Sequence, residues 1–225
     1  MSHPLHNPVY NALISGDKHL ALGTDAVKYF DETVSPFVGF PDNYNGFDEL
    51  HDLLPPGRKV LYATPEKIEI PKGWKLAVLV EGLQFVFEMD SIIATPSIDP
   101  VPLSDQNIDE MIELAMLTRP GPFDKRTIEF GHYFGIFENG RLASMTGQRM
   151  HVEDFTEISA VCTHPDFLGR GYAAALLQHQ LRLILSQGKQ PFLHVRADNA
   201  RAIEIYERLG FKVSREMMFY FMKRL

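Results

Sequence analysis

The run from Ile158 to Leu177, Ile-Ser-Ala-Val-Cys-Thr-His-Pro-Asp-Phe-Leu-Gly-Arg-Gly-Tyr-Ala-Ala-Ala-Leu-Leu, has residue types and spacing suited to binding an anion. An apolar stretch that reads as a buried strand leads into a turn with glycines at 169 and 171, and a helix begins beside the second. Glycine lets the backbone come close to a ligand, while the free amides of the first helical turn present the positive end of the helix dipole. A phosphate or pyrophosphate suits that chemistry. The turn lacks the Lys-Ser/Thr ending of a Walker A loop. It also lacks the three spaced glycines, with an acidic residue about 20 positions on, of a dinucleotide fingerprint.

Leu168-Gly-Arg-Gly171-Tyr-Ala173 resembles the signature Arg/Gln-x-x-Gly-x-Gly/Ala of the GNAT superfamily of acyl-CoA-dependent N-acyltransferases, with Leu168 standing where the family prefers Arg or Gln. Downstream, Phe192-Leu-His-Val-Arg-Ala-Asp-Asn199-Ala-Arg-Ala-Ile-Glu-Ile-Tyr206-Glu-Arg-Leu-Gly-Phe211 is similar to that family's fifth strand, fourth helix and closing Leu-Gly-Phe. The Cys-Thr-His-Pro and Asn-Ala-Arg-Ala segments are nearest the FR47-like branch, which includes glycine N-acyltransferases. The resemblance covers roughly residues 100 to 225. It implies an α/β fold with a mixed sheet, to which the first part adds an N-terminal αβ domain.

The resemblance also implies a chemistry. The acyl donor would be acetyl-CoA, without a metal, and the acceptor a primary amine of a small molecule or amino acid, or else a protein lysine or N-terminal amine. Leu168, Gly169, Arg170, Gly171, Tyr172 and Ala173 would surround the pyrophosphate. Val161, Cys162 and Thr163 would border the pantetheine arm, which lies beside the fourth strand like an added strand, with an amide near Val161 serving the thioester oxygen. Asn199 would touch that arm, although an Asn there is also a good helix N-cap. Tyr206 would protonate the departing thiolate, although it also falls on the apolar stripe of Ala202, Ile203 and Leu209. Counting back from the glycine turn places Glu157 where relatives carry a catalytic Glu. Four strand positions, about 13 Å, separate it from Val161 and call for an intervening water. Its plain alternative is a solvent-facing charge at a strand start. Acceptor contacts are expected from residues 118–125 and 147–149. A non-catalytic acyl-CoA sensor, whose first part couples ligand binding to a partner, is the competing reading, motivated by Leu168 and by the first part that carries no motif.

Composition narrows the classes. The 225 residues are 45% hydrophobic, enough for one large domain or two small ones, and the net charge of −7 argues against a nucleic-acid partner. Cys162 is the single cysteine, which excludes an intrachain disulfide framework and fits a reducing compartment. Its place in an apolar strand suits a buried, inert thiol. The nine histidines include no pair four residues apart and no cysteine partner, so no metal site is expected. No secretion signal or bilayer-length apolar run is apparent, and the expectation is a cytoplasmic protein with no membrane partner.

These residues need elements to position them. The chain divides near residue 96, where Pro96 to Pro102 reads as a linker after a first part, 1–95, that carries no motif of its own. That part is expected to hold a short helix near 48–54 and strands at 60–63, 75–80 and 83–88. In the second part, 96–225, a helix capped by Ser104 or Asp105 precedes a hairpin of 133–137 and 142–148 closed by Asn139-Gly140. A strand at 155–163, the helix from Gly171 and a closing strand at 217–222 follow.

Overall fold

The computed structural model describes residues 3–88 and 98–225. In chain order the elements are α1 (Pro8–Ile14), β1 (Ala21–Gly23), β2 (Lys28–Phe30), β3 (Phe37–Gly39), α2 (Phe47–Leu53), β4 (Lys59–Thr64) and β5 (Trp74–Phe87). Then come β6 (Val101–Pro102), α3 (Ile108–Thr118), β7 (Phe134–Glu138), β8 (Arg141–Val152), β9 (Phe155–Thr163), α4 (Tyr172–Ser186), β10 (Gln190–Arg196), α5 (Ala200–Arg208) and β11 (Phe211–Arg224). Among the described residues the strands form one sheet in the order β1-β2-β3-β4-β11-β5-β10-β9-β8-β7-β6. It is mixed, as expected: β3/β4 and β9/β10 are parallel and the other pairs antiparallel.

Local chemistry accounts for many boundaries. Ser104 and Asn107 form a capping box ahead of α3. Asn139 and Gly140 both take positive φ, +52° and +77°, the geometry of the tight turn between β7 and β8. The expected break at Glu81-Gly82 is absent, because 75–80 and 83–87 belong to the single strand β5, which ends at Phe87, one residue before the expected end. Gly82 serves a close approach instead of a turn: a Cβ there would lie 2.7 Å from the Phe219 ring and 2.9 Å from the Val195 carbonyl oxygen. The expected boundary at residues 95 and 96 falls outside the described residues.

Burial divides the sheet into two faces. On one, α3 packs through Met111, Leu114 and Ala115 onto Met145, Ala160 and Cys162. On the same face α1 packs through Val9, Ala12 and Leu13 onto Met150, Val152 and Phe192. On the other, Leu177, Leu181 and Ile184 of α4 and Tyr206 of α5 cover Ile158, Leu193, Val195 and Phe85.

Candidate functional site

The pairing of β9 with β10 covers only Gln190↔Phe155, Pro191↔Thr156 and Phe192↔Glu157. Past that point β10 pairs with β5, from Phe192↔Val86 to Arg196↔Gly82, while β9 stays with β8 as far as Ser144↔Thr163. The two strands part, and among the described residues no strand pairs with 158–163 of β9 on that edge. Such an edge is a row of backbone donors and acceptors into which an extended, amide-bearing chain fits. A bulge lies in the same stretch: the register slips opposite Met145 and Gly147, and Ala160 has φ +53°. The bulge resets the alternation, so that Ile158 and Val161 face α4 and α5 while Ala160 and Cys162 face α3.

Beside the opening, Gly169 and Gly171 both have φ +81°, and a Cβ on either would meet nothing within 4 Å. The turn therefore faces open space. Gly171 caps α4 and has no side chain to bond the first-turn amides, which carry no side-chain partner among the described residues and suit an anion. The Arg170 Nη1 donates to Glu138 at 3.0 Å and the Tyr172 hydroxyl bonds the same carboxylate, tying both side chains back to β7. Leu168 is exposed and Ala173 half-buried. At this turn the backbone amides, and not the side chains, are the polar groups left facing open space.

Asn199 caps α5, its Oδ1 accepting from the Ala202 amide at 3.2 Å. Thr163 Oγ1 shares a hydrogen bond with Ser144 Oγ at 2.8 Å. Tyr206 packs between Phe85 and Phe211, at 6.2 and 6.1 Å between ring centroids, in the cluster that Val161 borders. Its hydroxyl makes no hydrogen bond among the described residues, and burial pushes it up to about 12. Burial likewise pushes the Cys162 thiol up to about 12, which leaves it inert near neutral pH.

Glu157 lies on the opposite face from Tyr206, fully buried at 0% exposure. Arg149, directly across on β8, donates to it through Nε at 2.8 Å and Nη2 at 2.9 Å, and His194 Nδ1 lies 2.7 Å from Oε1. Burial would raise this carboxyl, but Arg149 and the hydrogen bonds outweigh it and hold the group at about 2. It is therefore not a solvent-facing charge: its oxygens are sealed against Arg149 and His194. The Phe37 ring centroid lies 4.7 Å from the Arg149 guanidinium carbon.

Beside this pair is a cleft lined by Pro120–Phe123, Thr127, Tyr133, Arg149, Ser159 and Ala160. The two segments expected to contact an acceptor meet here, in Pro120–Phe123 and Arg149. Tyr133 closes the cleft because position 147 is glycine: a Cβ there would lie 2.3 Å from its ring. Tyr133, His194 and Phe37 escaped the sequence reading, since no local pattern marks a side chain delivered from a distant strand. Among the described residues no cluster suited to a metal ion occurs, and no helix is long and apolar enough to cross a membrane.

The profile of the family described as FR47-like protein matches residues 133–220. Mycothiol acetyltransferase from Mycobacterium sp. (strain JLS) is 38% identical over 34% of this chain and 27% of its own length. The [ribosomal protein bS18]-alanine N-acetyltransferase of Escherichia coli (strain K12) is 33% identical over 35% of this chain and 53% of its own. The chain thus spans between a quarter and just over half of these curated relatives. The crystal structure of a GNAT-family protein from Novosphingobium aromaticivorans matches over 100% of both chains, with 32% identity and a TM-score of 0.90. That likeness, sustained from end to end, makes this chain a member of the GNAT family.

Proposed function

We propose that the chain is an N-acetyltransferase that moves the acetyl group of acetyl-CoA onto a primary amine of a small molecule or amino acid. The observation that carries this reading is the parting of β9 and β10 beside the Gly169–Gly171 turn. A donor with a pyrophosphate at one end and an amide-bearing arm at the other spans that pair of features. The amine nitrogen attacks the thioester carbonyl carbon, the carbon–sulfur bond breaks, and the sulfur leaves with a proton. Backbone amides near Val161 would stabilise the charge that develops on the carbonyl oxygen.

Tyr206 is the proposed source of the thiolate's proton. Among the described residues its hydroxyl has no competing partner, and burial keeps it protonated well above neutral pH. Asn199, whose Oδ1 is spent on the helix cap, would meet the pantetheine arm through its Nδ2. Glu157 is proposed to act through Arg149 and not by taking the ammonium proton. A carboxylate held at about 2 is a weak base near neutral pH, and its oxygens already accept from Arg149 and bond His194. The amine then loses its proton to solvent and reacts in its neutral form. Relatives named for mycothiol and for a ribosomal-protein alanine bracket small-molecule and protein acceptors. The small cleft favours the former, and the lone buried thiol of Cys162 fits a cytoplasmic setting.

Turnover tests the reading. Primary amines assayed with several acyl-CoA donors, read as free thiol, should give release with acetyl-CoA and at least one small amine. Acetyl-CoA binding without thiol release from any amine would favour the acyl-CoA sensor, to which the departure at Leu168 points.

A further inference from the structure

Arg149 is the single charged side chain among the residues that line the cleft beside Ala160. The carboxylate that balances it, Glu157, is sealed at 1% side-chain exposure, while the Arg149 side chain retains 11%. A guanidinium carries its donors on two usable edges. Arg149 spends the edge formed by Nε and Nη2 on Glu157, and its plane is set against the Phe37 ring. It makes no other hydrogen bond among the described residues, and Nη1 is not one of the buried nitrogens left without a partner, so solvent reaches it from the cleft. The second edge, Nη1 and the outer hydrogen of Nη2, is thus preset for a planar oxyanion. Ser159 and Ala160, which also line the cleft, belong to the bulged stretch of β9 beside which the acetyl group would arrive.

We propose that Arg149 binds a carboxylate carried by the acceptor, so that the substrate class is a primary amine bearing a carboxylate, an amino acid. The proposal rests on the N-acetyltransferase reading above and narrows it. No carboxylate side chain lines the cleft to attract a purely cationic amine, whereas a zwitterion presents its anionic end to Arg149 and its nitrogen to the thioester. Glu157 acts as the positioning partner that holds the guanidinium edge-on.

The test uses the full chain and matched acceptors: glycine, alanine, β-alanine and γ-aminobutyrate, each beside its amide and the corresponding amine without the carboxylate. Thiol release should be about tenfold or more faster, in kcat/KM, for the best amino acid than for its amide, as a charge-assisted contact requires. Arg149→Gln alone strands the buried Glu157 charge and threatens the fold, so the informative variant is Arg149→Gln with Glu157→Gln, which removes both members of the buried ion pair together and leaves no unpaired charge. It should retain the acetyl-CoA-induced rise in Tm and lose the preference for the acid. Equal rates for acids and amides in the unaltered chain would overturn the proposal and leave the acetyl-transfer reading standing. If no amine releases thiol, that reading fails. Titration of the same amino acids into the CoA-saturated chain then decides: carboxylate-dependent binding that disappears in the double variant upholds the Arg149 site, and its absence overturns it.

Discussion

The two residues with the strongest claims to chemistry differ in what burial does to them. Tyr206 is made a poorer acid by burial alone, whereas Glu157 is buried yet held at about 2 because Arg149 and His194 stabilise its charge. Tyr206→Phe keeps the ring between Phe85 and Phe211 and removes the proton, so kcat should fall about 100-fold with acetyl-CoA affinity unchanged. Steady-state rates beside calorimetric titration check this; unaltered turnover would return Tyr206 to a packing role. For Glu157 the prediction concerns stability. Its folded value of about 2 lies below the ordinary 4.5, so it contributes stability that is fully present above about pH 4.5 and lost as pH falls toward 2. Glu157→Gln should therefore melt lower than the unaltered chain at pH 7, with the gap closing between pH 4.5 and pH 2. A gap constant across that window contradicts the buried-pair account. The activity lost in this variant should be the same at every pH, since the carboxylate is proposed not to receive the proton. A loss confined to low pH would restore it as the base.

At the scale of elements, α4 and β9 have separate tasks. The start of α4 at Gly171 is proposed to hold the pyrophosphate, so acetyl-CoA should raise Tm and pantetheine should raise it less. Gly171→Glu puts a carboxylate in the anion site and should abolish the shift. Gly171→Ala carries only the left-handed backbone strain, about 1 kcal/mol, and should lower Tm while keeping the shift. A full shift in the glutamate variant would move the donor site elsewhere. On β8, Gly147→Ala would drive a methyl to within 2.3 Å of the Tyr133 ring, which closes the cleft. The expected result is a raised KM for the acceptor with acetyl-CoA affinity intact, measured by initial rates over both substrates.

For the whole molecule, the decisive feature is the place of β5. It comes from the first part of the chain yet lies between β10 and β11, paired with β11 from Phe211↔Phe87 to Arg224↔Trp74. The first part also reaches the candidate site, through Phe37 against Arg149 and through Asp17, whose carboxylate takes the backbone amide of His151 at 2.9 Å. A fragment beginning at residue 96 would leave β10 and β11 facing a gap, with two long hydrogen-bonding edges exposed. It should aggregate or stay unfolded on its own, and regain acetyl-CoA binding when mixed with residues 1–95. A monodisperse fragment with a cooperative melt and full acetyl-CoA affinity would show that β5 is dispensable. The proposal that the first part shapes acceptor choice predicts that Phe37→Ala changes the acceptor KM and not the affinity for acetyl-CoA.

What the sequence determined by itself was local. The glycine turn, the caps at Ser104 and Asn199 and the Asn139-Gly140 hairpin were legible because each depends on the conformational range or hydrogen-bonding reach of one or two residues. The mixed sheet was legible through the family pattern of 158–177 and 192–211. Only the tertiary structure decided what distant strands do to those residues. It made Gly82 a point of close contact instead of a turn, because Phe219 and Val195 press on it from two other strands. It put Glu157 and Tyr206 on opposite faces, because β9 alternates and its neighbours supply the environment. It turned an apparent strand-start charge into a sealed partner of Arg149 and His194, since β8 and β10 bring a cation and an imidazole to the same point from sequence positions 8 and 37 residues away. Register sets which groups meet across a sheet, and register is a property of the assembled strands.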